Sequence, residues 1–283
     1  MGRQPMTTVE IAPKISRGAY ELVYREAGSG PVLVMLHGSG PGVSGMSNYA
    51  ANLPVLARTF RTIVVDMPGF GDSPEVPHTK PYPEHAAEAV VSLLADLGVD
   101  KAHLVGNSMG GFVALETAFA HPERVDRMVL MGPGGIAAEI FSPPVSEGAR
   151  RLFDFMSSPS EAAMRAWVDT MVSNPASVPE DVIRERTERA LAPGAIKRMR
   201  NVFASLGKPS AHGPMWTRTG RISHRTLVTW GRDDRMLPLE GAFFATRRMP
   251  NADLHIFANC GHWAQVERKE AFEALLAEFL TAP

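Results

Sequence analysis

Two patterns of hydrophobic residues alternate along most of the chain. Short apolar runs such as "VLVML" and "TIVV" predict strands, and apolar residues at three- and four-residue spacing predict helices. Because these strand-like runs contain no alternating polar positions, they favour a mostly parallel sheet that is covered on both faces. The predicted strands are Glu21–Ala27, Pro31–Gly38, Arg61–Pro68, Ala102–Asn107, Val125–Gly132, Arg225–Gly231 and Asp253–Phe257. The predicted helices are Ser47–Ala57, Glu84–Leu97, Met109–Ala120, Leu239–Arg248 and Glu270–Leu280.

The alternation breaks in the middle of the chain. From Pro133 to about Ser223 the pattern indicates short helices separated by segments rich in proline and serine, such as "SPP" and "SNPASVPE". We therefore predict an α/β core domain formed by residues 1–134 and 224–283, into which residues 135–223 are inserted as a helical lid.

Composition narrows the class of partner. The 283 residues are 45% hydrophobic and 21% charged, and the net charge is −1, so neither nucleic acid nor an acidic membrane surface is an expected partner. No apolar run reaches the length of about 18 residues that a membrane span needs, and the N-terminus lacks the apolar stretch of a signal peptide. A single cysteine, Cys260, excludes an intramolecular disulfide. These features predict a cytoplasmic protein.

The stretch "HLVGNSMGGFVAL" places Ser108 where a predicted strand runs directly into a predicted helix. Gly106 and Gly110 lie two residues to either side, which is the spacing of a nucleophile elbow. Such a turn raises the serine hydroxyl above the carboxyl edge of the sheet, beside the start of a helix. A plain turn is the alternative, but the context favours a nucleophilic serine.

A nucleophilic serine needs a base and an acid further along the chain. Among nine histidines, His262 follows the last predicted strand and precedes the last helix. Folds that carry a nucleophile elbow place the catalytic histidine at this position. Asp233 and Asp234 follow the preceding strand. The spacing from Asp234 to Pro238 favours Asp234, and Asp233 is the alternative.

The glycine-rich stretch "HGSGPGVSG" allows two interpretations. Gly40, Gly42 and Gly45 satisfy G-x-G-x-x-G, and Asp66 lies 21 residues after Gly45, as in a dinucleotide site. However, three residues separate the motif from its strand. We therefore favour an oxyanion hole, in which a backbone N–H of this loop is paired with that of Met109. No zinc-ligand cluster or Walker lysine motif is present in the sequence, so no metal or cofactor is expected.

Six segments between residues 36 and 267 resemble, in order and spacing, one branch of the α/β-hydrolase fold, the meta-cleavage product hydrolases. These segments are "LHGSGPG", "SNYAANL", "GNSMGG", "LMGPGG", "WGRDDR" and "CGHWAQVE". Asn107 stands where many esterases carry a histidine before the nucleophile. The resemblance implies a mostly parallel central sheet flanked by helices, with a helical lid inserted after the sixth strand.

The resemblance also implies a reaction. Enzymes of this branch cleave the C5–C6 bond of 2-hydroxy-6-oxo-hexa-2,4-dienoates, giving a 2-hydroxypenta-2,4-dienoate and a carboxylic acid, in bacterial degradation of aromatic compounds. A small dienoate would be the binding partner, no metal or organic cofactor would be needed, and a homo-oligomer is expected. The alternatives are a carboxylesterase or lactonase of the same fold and a receptor that uses this fold as a binding pocket.

Residue roles follow from the same resemblance. It assigns Ser108, Asp234 and His262 as the catalytic triad, and it puts the oxyanion-hole amides on Ser39 and Met109. The implied substrate-binding residues are Gly38, Asn48, Asn107, Arg186 and Trp263. Among three lid arginines, Arg184, Arg186 and Arg189, the Arg-x-Glu spacing favours Arg186, and an exposed helical charge is the alternative.

Two positions depart from the family pattern: Ser39 replaces a usual glycine, and Met46 stands where an aromatic residue is common. The lid also carries enough large apolar residues to line an aryl-sized pocket, although the same residues would serve the packing of the lid itself. They are Phe141, Phe153, Phe155, Met156, Trp167, Met171, Phe203, Met215 and Trp216.

Overall fold

The computed structural model describes residues 11–76, 79–137 and 145–282. Phe141, one of the predicted lid residues, lies outside them. Eight strands form one sheet in the order β1-β2-β4-β3-β5-β6-β7-β8, in which β1 and β2 pair antiparallel and all strands from β3 to β8 are parallel. The strands are β1 (Lys14–Arg17), β2 (Glu21–Ala27), β3 (Val32–Leu36), β4 (Arg61–Val65), β5 (Ala102–Asn107), β6 (Val125–Met131), β7 (Arg225–Gly231) and β8 (Ala252–Phe257).

The structure confirms the predicted fold and adds one strand to the predicted seven. The short edge strand β1 exposes three of its four residues, so no apolar run marks it in the sequence. With β1 counted, the helical insertion follows the sixth strand, as the resemblance implies.

In the described part of the chain, twelve α-helices flank the sheet or form the insertion. They are α1 (Gly45–Tyr49), α2 (Leu53–Leu56), α3 (Tyr82–Asp96), α4 (Met109–Ala120), α5 (Glu147–Ser157), α6 (Glu161–Met171), α7 (Glu180–Leu191), α8 (Ala195–Leu206), α9 (Met215–Arg218), α10 (Glu240–Arg248), α11 (Ala264–Glu267) and α12 (Lys269–Thr281). The single helix predicted over Ser47–Ala57 is wrong, because α1 and α2 are separate. Pro54 has no N–H to continue the hydrogen bonds of α1, and it lies instead in the first turn of the new helix, which begins at Leu53.

The central strands β3 to β7 are buried on both faces, as the apolar runs predict, whereas the edge strands β1 and β8 expose half or more of their residues. On β3, Val34 and Leu36 pack in the apolar cluster that includes α3 and α4, whereas Leu33 and Met35 pack in the cluster that includes α2 and α12. The alternation of side chains along a strand thus supplies two cores from one run of apolar residues. Among the described residues, no helix is both long enough and apolar enough to cross a bilayer.

Helices α5 to α9 lie between β6 and β7 and form the insertion. The apolar faces of α5 to α8 build a third cluster, in which Leu152, Phe155 and Trp167 are buried. Two residues from outside the insertion join this cluster: Trp263, from the loop after β8, is buried in it, and the partly buried Met236, from the segment after β7, packs against it. The division at residues 135 and 223 stays a prediction, and Trp263 marks one place where the insertion rests on the core.

Close backbone approaches explain the glycines around Ser108. A Cβ on Gly106 would lie 2.4 Å from the carbonyl oxygen of Gly110, and a Cβ on Gly110 would lie 2.2 Å from that of Leu36. Atoms this close cannot be accommodated without moving the backbone. The two glycines therefore let α4 start directly against β3 and β5.

We expect Gly110→Ala to lower the free energy of unfolding by about 3 kcal/mol or more, because its methyl group would push α4 away from β3. Gly98→Ala is the matched control: Gly98 has a φ of +63° but open space around its Cβ, so the loss should be about 1 kcal/mol. Urea unfolding of both variants measures the difference. Equal losses would show that close packing does not explain Gly110.

Candidate active site

Ser108 occupies a strained conformation at the turn from β5 into α4. Its φ of 54° and ψ of −113° are unusual for a residue with a side chain. Neighbouring backbone holds this conformation, because the Ser108 N–H donates to the Met131 carbonyl at 2.9 Å and the Ser108 carbonyl accepts from Gly134 N–H at 2.9 Å. Both partners lie at the end of β6 or just after it. The adjacent strand therefore fixes the serine above the carboxyl edge of the sheet.

His262 and Asp234 meet beside this turn. The Nδ1 atom of His262 lies 2.7 Å from Oδ2 of Asp234, and both side chains are at most 3% exposed. The other carboxylate oxygen, Oδ1, accepts from the amides of Met236 and Leu237 at 2.7 and 3.0 Å. This arrangement orients the imidazole and leaves Nε2 as the ring nitrogen that can take a proton from Ser108.

Neither the alternative acid, Asp233, nor the thiol of Cys260, two residues before His262, takes part in the triad. Asp233 pairs with Arg232 at 2.9 Å and accepts from the Ser173 hydroxyl, so it does not serve His262. Cys260 is fully buried, and burial raises the pKa of its thiol to about 12. A thiol protonated at neutral pH is a poor nucleophile.

The two predicted oxyanion-hole residues flank Ser108. Met109 is the first residue of α4, so its N–H is one of the amides that have no partner within the helix. Ser39 follows β3 and lines the same cavities as Ser108. The Ser39 side chain is not needed for this function, because only its backbone N–H would bind an oxyanion.

His37, which the sequence analysis did not single out, holds the peptide group that carries the Ser39 N–H. Its Nε2 accepts from the Met67 amide at 2.9 Å, so Nδ1 carries the proton and donates to the Gly38 carbonyl at 2.6 Å. Burial lowers the pKa of His37, which keeps the ring neutral. Since the Gly38 carbonyl and the Ser39 N–H belong to one planar peptide, fixing the first orients the second.

The glycine-rich loop after β3 packs against the lid rather than leaving room for a dinucleotide. A Cβ on Gly40 would lie 2.2 Å from the Trp167 ring, and one on Gly42 would lie 2.0 Å from the Arg186 carbonyl oxygen. Asp66, the residue at the ribose-binding spacing, accepts from the Gly45 amide at 2.6 Å. The glycines therefore serve close packing of this loop on α6 and α7.

A small pocket lies under the lid at Ser108. Its volume is about 20 Å³, and it brings together most of the predicted site residues. The residues lining it are Gly38, Ser39, Gly40, Val43, Asn48, Asn107, Ser108, Leu152, Trp167, Met171, Arg186, Met236, His262 and Trp263.

Arg186 is the buried arginine of α7, whereas Arg184 and Arg189 are exposed. It is 3% exposed, and its guanidinium lies 4.9 Å from the Trp263 ring centre and 5.6 Å from that of Trp167. The Nη1 atom reaches only the Ser47 hydroxyl, at 3.5 Å. Burial lowers the pKa of Arg186 to about 10, so the group is still a cation at neutral pH.

Four buried polar atoms of the pocket residues have no hydrogen-bond partner within the described chain. Three are donors, Arg186 Nε, Asn48 Nδ2 and Trp167 Nε1, and one is the acceptor Asn107 Oδ1. The Asn107 amide nitrogen is already used, because it donates to the carbonyls of Met131 and His262 at 3.3 Å each. Unpaired buried groups are costly, so such a cluster is typical of a ligand-binding site.

A larger cavity of about 570 Å³ opens on the other side of the nucleophile. Ser39, Ser108 and Met236 line both this cavity and the small pocket. Of the large lid residues that the sequence analysis names, Phe203, Met215 and Trp216 line the larger cavity, and Trp167 and Met171 line the small pocket. Phe155 and Met156 instead pack within the lid, and Phe153 is exposed.

Comparison with known proteins agrees with this geometry. The sequence pattern of the alpha/beta hydrolase fold matches residues 31–269. A 2-hydroxy-6-oxo-6-phenylhexa-2,4-dienoate hydrolase from Burkholderia cepacia is 39% identical over 92% of this chain and 91% of its own length. A 2-hydroxy-6-oxononadienedioate/2-hydroxy-6-oxononatrienedioate hydrolase from Comamonas testosteroni is 37% identical over 92% of this chain and 91% of its own.

A solved structure supports the same assignment. The 2-hydroxy-6-oxo-6-phenylhexa-2,4-dienoate hydrolase from a Rhodococcus species superimposes with a TM-score of 0.85 at 32% identity, over 96% of this chain and 100% of that one. The fold and the serine site define the class as a serine hydrolase of the α/β-hydrolase fold. Within that class the chain belongs to the meta-cleavage product hydrolases, the C–C bond hydrolases of aromatic-compound degradation.

We expect His37→Leu to lower kcat by about tenfold to a hundredfold on both a dienoate and a neutral p-nitrophenyl ester, with little change in KM. Both reactions need the oxyanion hole, and loss of the Nδ1–H bond would free the Gly38–Ser39 peptide to rotate. Steady-state kinetics on a variant with a native circular dichroism spectrum test this. An unchanged kcat on both substrates would show that His37 has no positioning role.

Arg186→Met should act on one substrate only. We expect kcat/KM for a dienoate to fall about 10- to 100-fold, and ester hydrolysis to stay near that of the unmodified enzyme, because only the dienoate offers a carboxylate. Burial holds the folded-state pKa of Arg186 below its unfolded value, so at neutral pH the buried cation costs folding free energy of roughly 2–4 kcal/mol. Urea unfolding should therefore show a variant as stable as the unmodified protein or more stable.

The exposed Arg184 is the matched control, and Arg184→Met should leave both reactions and the unfolding free energy nearly unchanged. Equal losses on dienoate and ester in Arg186→Met would contradict a role in carboxylate binding.

Proposed function

We propose that the enzyme binds a 2-hydroxy-6-oxo-hexa-2,4-dienoate across Ser108 and cleaves its C5–C6 bond. The carboxylate end would occupy the small pocket, the C6 carbonyl would lie at Ser108, and the C6 substituent would extend into the larger cavity. The observation that carries this proposal is the set of unpaired buried groups in the small pocket, three donors and one acceptor around a buried cation.

The chemistry of that set matches the polar end of the substrate. Arg186, Asn48 and Trp167 present N–H donors, which suit a carboxylate. Asn107 Oδ1 is an acceptor, which suits the 2-hydroxyl group. Gly38 and Trp263 complete the walls of the pocket. A simple ester would leave these groups unpaired, so the site is better matched to a dienoate than to the ester or lactone of the alternative function.

Cleavage of a carbon–carbon bond requires a place for the bonding electrons. We propose that His262 first relays the proton of the 2-hydroxyl to C5, which converts the dienol into its keto tautomer. Departure of C5 then produces a dienolate whose charge extends to the 2-oxygen. The buried Arg186 lies in the pocket where that charge develops, and its attraction for the charge is stronger at a buried position than in bulk water.

The serine steps follow. His262, oriented by Asp234, accepts the Ser108 proton as Ser108 Oγ bonds to C6, and the backbone amides of Ser39 and Met109 bind the oxyanion. The C5–C6 bond then breaks, and protonated His262 returns its proton to the dienolate. The 2-hydroxypenta-2,4-dienoate is released, His262 is neutral again, and an acyl group remains on Ser108. Water, activated by His262, hydrolyses this ester to the carboxylic acid and restores the serine.

The proposal also covers the role of the insertion, the oligomeric state and the location of the protein. Residues 135–223 would act as the lid, because α6 and α7 supply Trp167 and Arg186 to the pocket. We also propose a homo-oligomer, which the family resemblance implies, and a cytoplasmic location, which the composition predicts. Light scattering on the purified protein, compared with the chain mass of 30.7 kDa, measures the oligomeric state.

We expect Ser108→Ala and His262→Ala each to remove most steady-state turnover of 2-hydroxy-6-oxo-6-phenylhexa-2,4-dienoate. The turnover of the double variant should be only a little lower than that of the less active single variant. The two should differ in kind, because Ser108→Ala retains the residue that drives ketonisation. Stopped-flow absorbance should therefore show a shifted bound spectrum in Ser108→Ala and a persistent dienolate spectrum in His262→Ala. Near-normal turnover by folded Ser108→Ala would refute the mechanism, and identical spectra would refute the role of His262.

A further inference from the structure

The larger cavity contains a carboxylate oxygen that the reaction does not use. Glu84 lies among the residues that line this cavity, and its Oε1 is buried without a hydrogen-bond partner within the described chain. Much of the surrounding surface is apolar and aromatic, contributed by Phe112, Phe203, Met215 and Trp216. A lone acceptor in such surroundings is costly unless a ligand supplies a donor.

The fold fixes Glu84 in this position. It lies in the first turn of α3, next to Pro83 and Pro81, which also line the cavity. A carboxylate there interacts favourably with the N-terminal end of the helix dipole. The Glu84 backbone N–H donates to the Pro81 carbonyl at 3.1 Å, which ties the residue to the start of the helix.

The arginine that lines the cavity is already neutralised. Arg218 forms a two-pronged ion pair with Glu116, with N–O distances of 3.1 and 2.9 Å, and both side chains are at most 5% exposed. Its guanidinium also lies 4.4 Å from the Phe119 ring centre. Lys208, the lysine of the lining, is an exposed residue. Among the described residues, the buried part of the cavity therefore offers an acceptor and no uncommitted cation.

We propose that Glu84 selects the C6 substituent: it accepts a hydrogen bond from a hydroxyl or amino group on an aryl ring and disfavours a substituent that ends in a carboxylate. This inference rests on the proposed function, since it assumes that the substituent occupies the larger cavity. An ionised carboxylate is acceptor-only, so a donor on the ring satisfies Oε1, whereas a second carboxylate is repelled.

The two relatives described above differ in the substituent at C6 of the compound in their names. The name of one describes a phenyl substituent and the name of the other a second carboxylate. The volume of about 570 Å³ accommodates an aryl group, and the single unpaired acceptor adds a preference for a ring that carries a donor.

The test is a comparison of kcat/KM across dienoates with a phenyl group, each of the three hydroxyphenyl isomers, or a carboxyethyl group at C6. The unmodified enzyme should prefer at least one hydroxyphenyl substrate to the phenyl one by about tenfold and should be slowest on the carboxyethyl substrate. Glu84→Leu should abolish the hydroxyphenyl preference and raise the relative rate on the carboxyethyl substrate about tenfold. Glu84→Gln keeps the shape but removes the charge, so it should raise the carboxyethyl rate while retaining part of the hydroxyphenyl preference.

Glu88→Gln is the matched control, because it removes the same charge one turn along α3, at a residue outside the cavity lining, and should leave the order of the substrates unchanged. An unmodified enzyme that shows no hydroxyphenyl preference, or that is fastest on the carboxyethyl substrate, overturns the proposal even if Glu84→Leu does not fold. Unaltered selectivity in both folded Glu84 variants also overturns it. Failure of the unmodified enzyme to consume the phenyl substrate would instead refute the proposed function.

Discussion

The site is built around a buried cation, Arg186, whose burial without an anionic partner costs folding free energy. Arg186 forms no ion pair within the described chain, yet it is 3% exposed and enclosed by Trp167 and Trp263. Aromatic faces recover part of the lost hydration, but burial still disfavours the charge. The fold tolerates this cost because α7 packs its backbone directly on Gly42 of the loop after β3. That same loop carries Ser39, so one contact positions both the proposed carboxylate anchor and the proposed oxyanion hole.

The rigid sheet supplies the other half of the site. Ser108, Asp234 and His262 follow β5, β7 and β8, and the parallel arrangement brings the carboxyl ends of these strands to one edge. Strain at Ser108 is held by hydrogen bonds to the backbone around the end of β6, and Asn107 ties β5 to the His262 loop. The proposed catalytic groups therefore depend on sheet geometry, whereas the proposed substrate contacts depend on how the insertion is placed.

This division explains what the sequence could and could not predict. Local sequence patterns predict the fold and the nucleophile elbow. These patterns are the apolar runs, the G-x-S-x-G turn, and the acid and histidine residues after successive strands. Arg186 could be chosen among three arginines only through resemblance, because helical spacing alone does not decide which arginine faces the core. Trp167 is predicted only as one of the large lid residues that could line a pocket, and His37 and Glu84 are not predicted as site residues, because their positions at the pockets come from contacts between distant segments. The edge strand β1 and the break between α1 and α2 were missed for local reasons, a short exposed strand and the effect of Pro54.

The central claim is that the substrate lies across Ser108 with its carboxylate at Arg186 and its C6 substituent in the larger cavity. A crystal structure of the Ser108→Ala variant soaked with 2-hydroxy-6-oxo-6-phenylhexa-2,4-dienoate tests it most directly. The account predicts the carboxylate within hydrogen-bond distance of Arg186 and Asn48, the C6 oxygen facing the amides of Ser39 and Met109, and the phenyl ring among Phe203, Met215 and Trp216. A ligand bound in the reverse direction, with its carboxylate in the larger cavity, would contradict it.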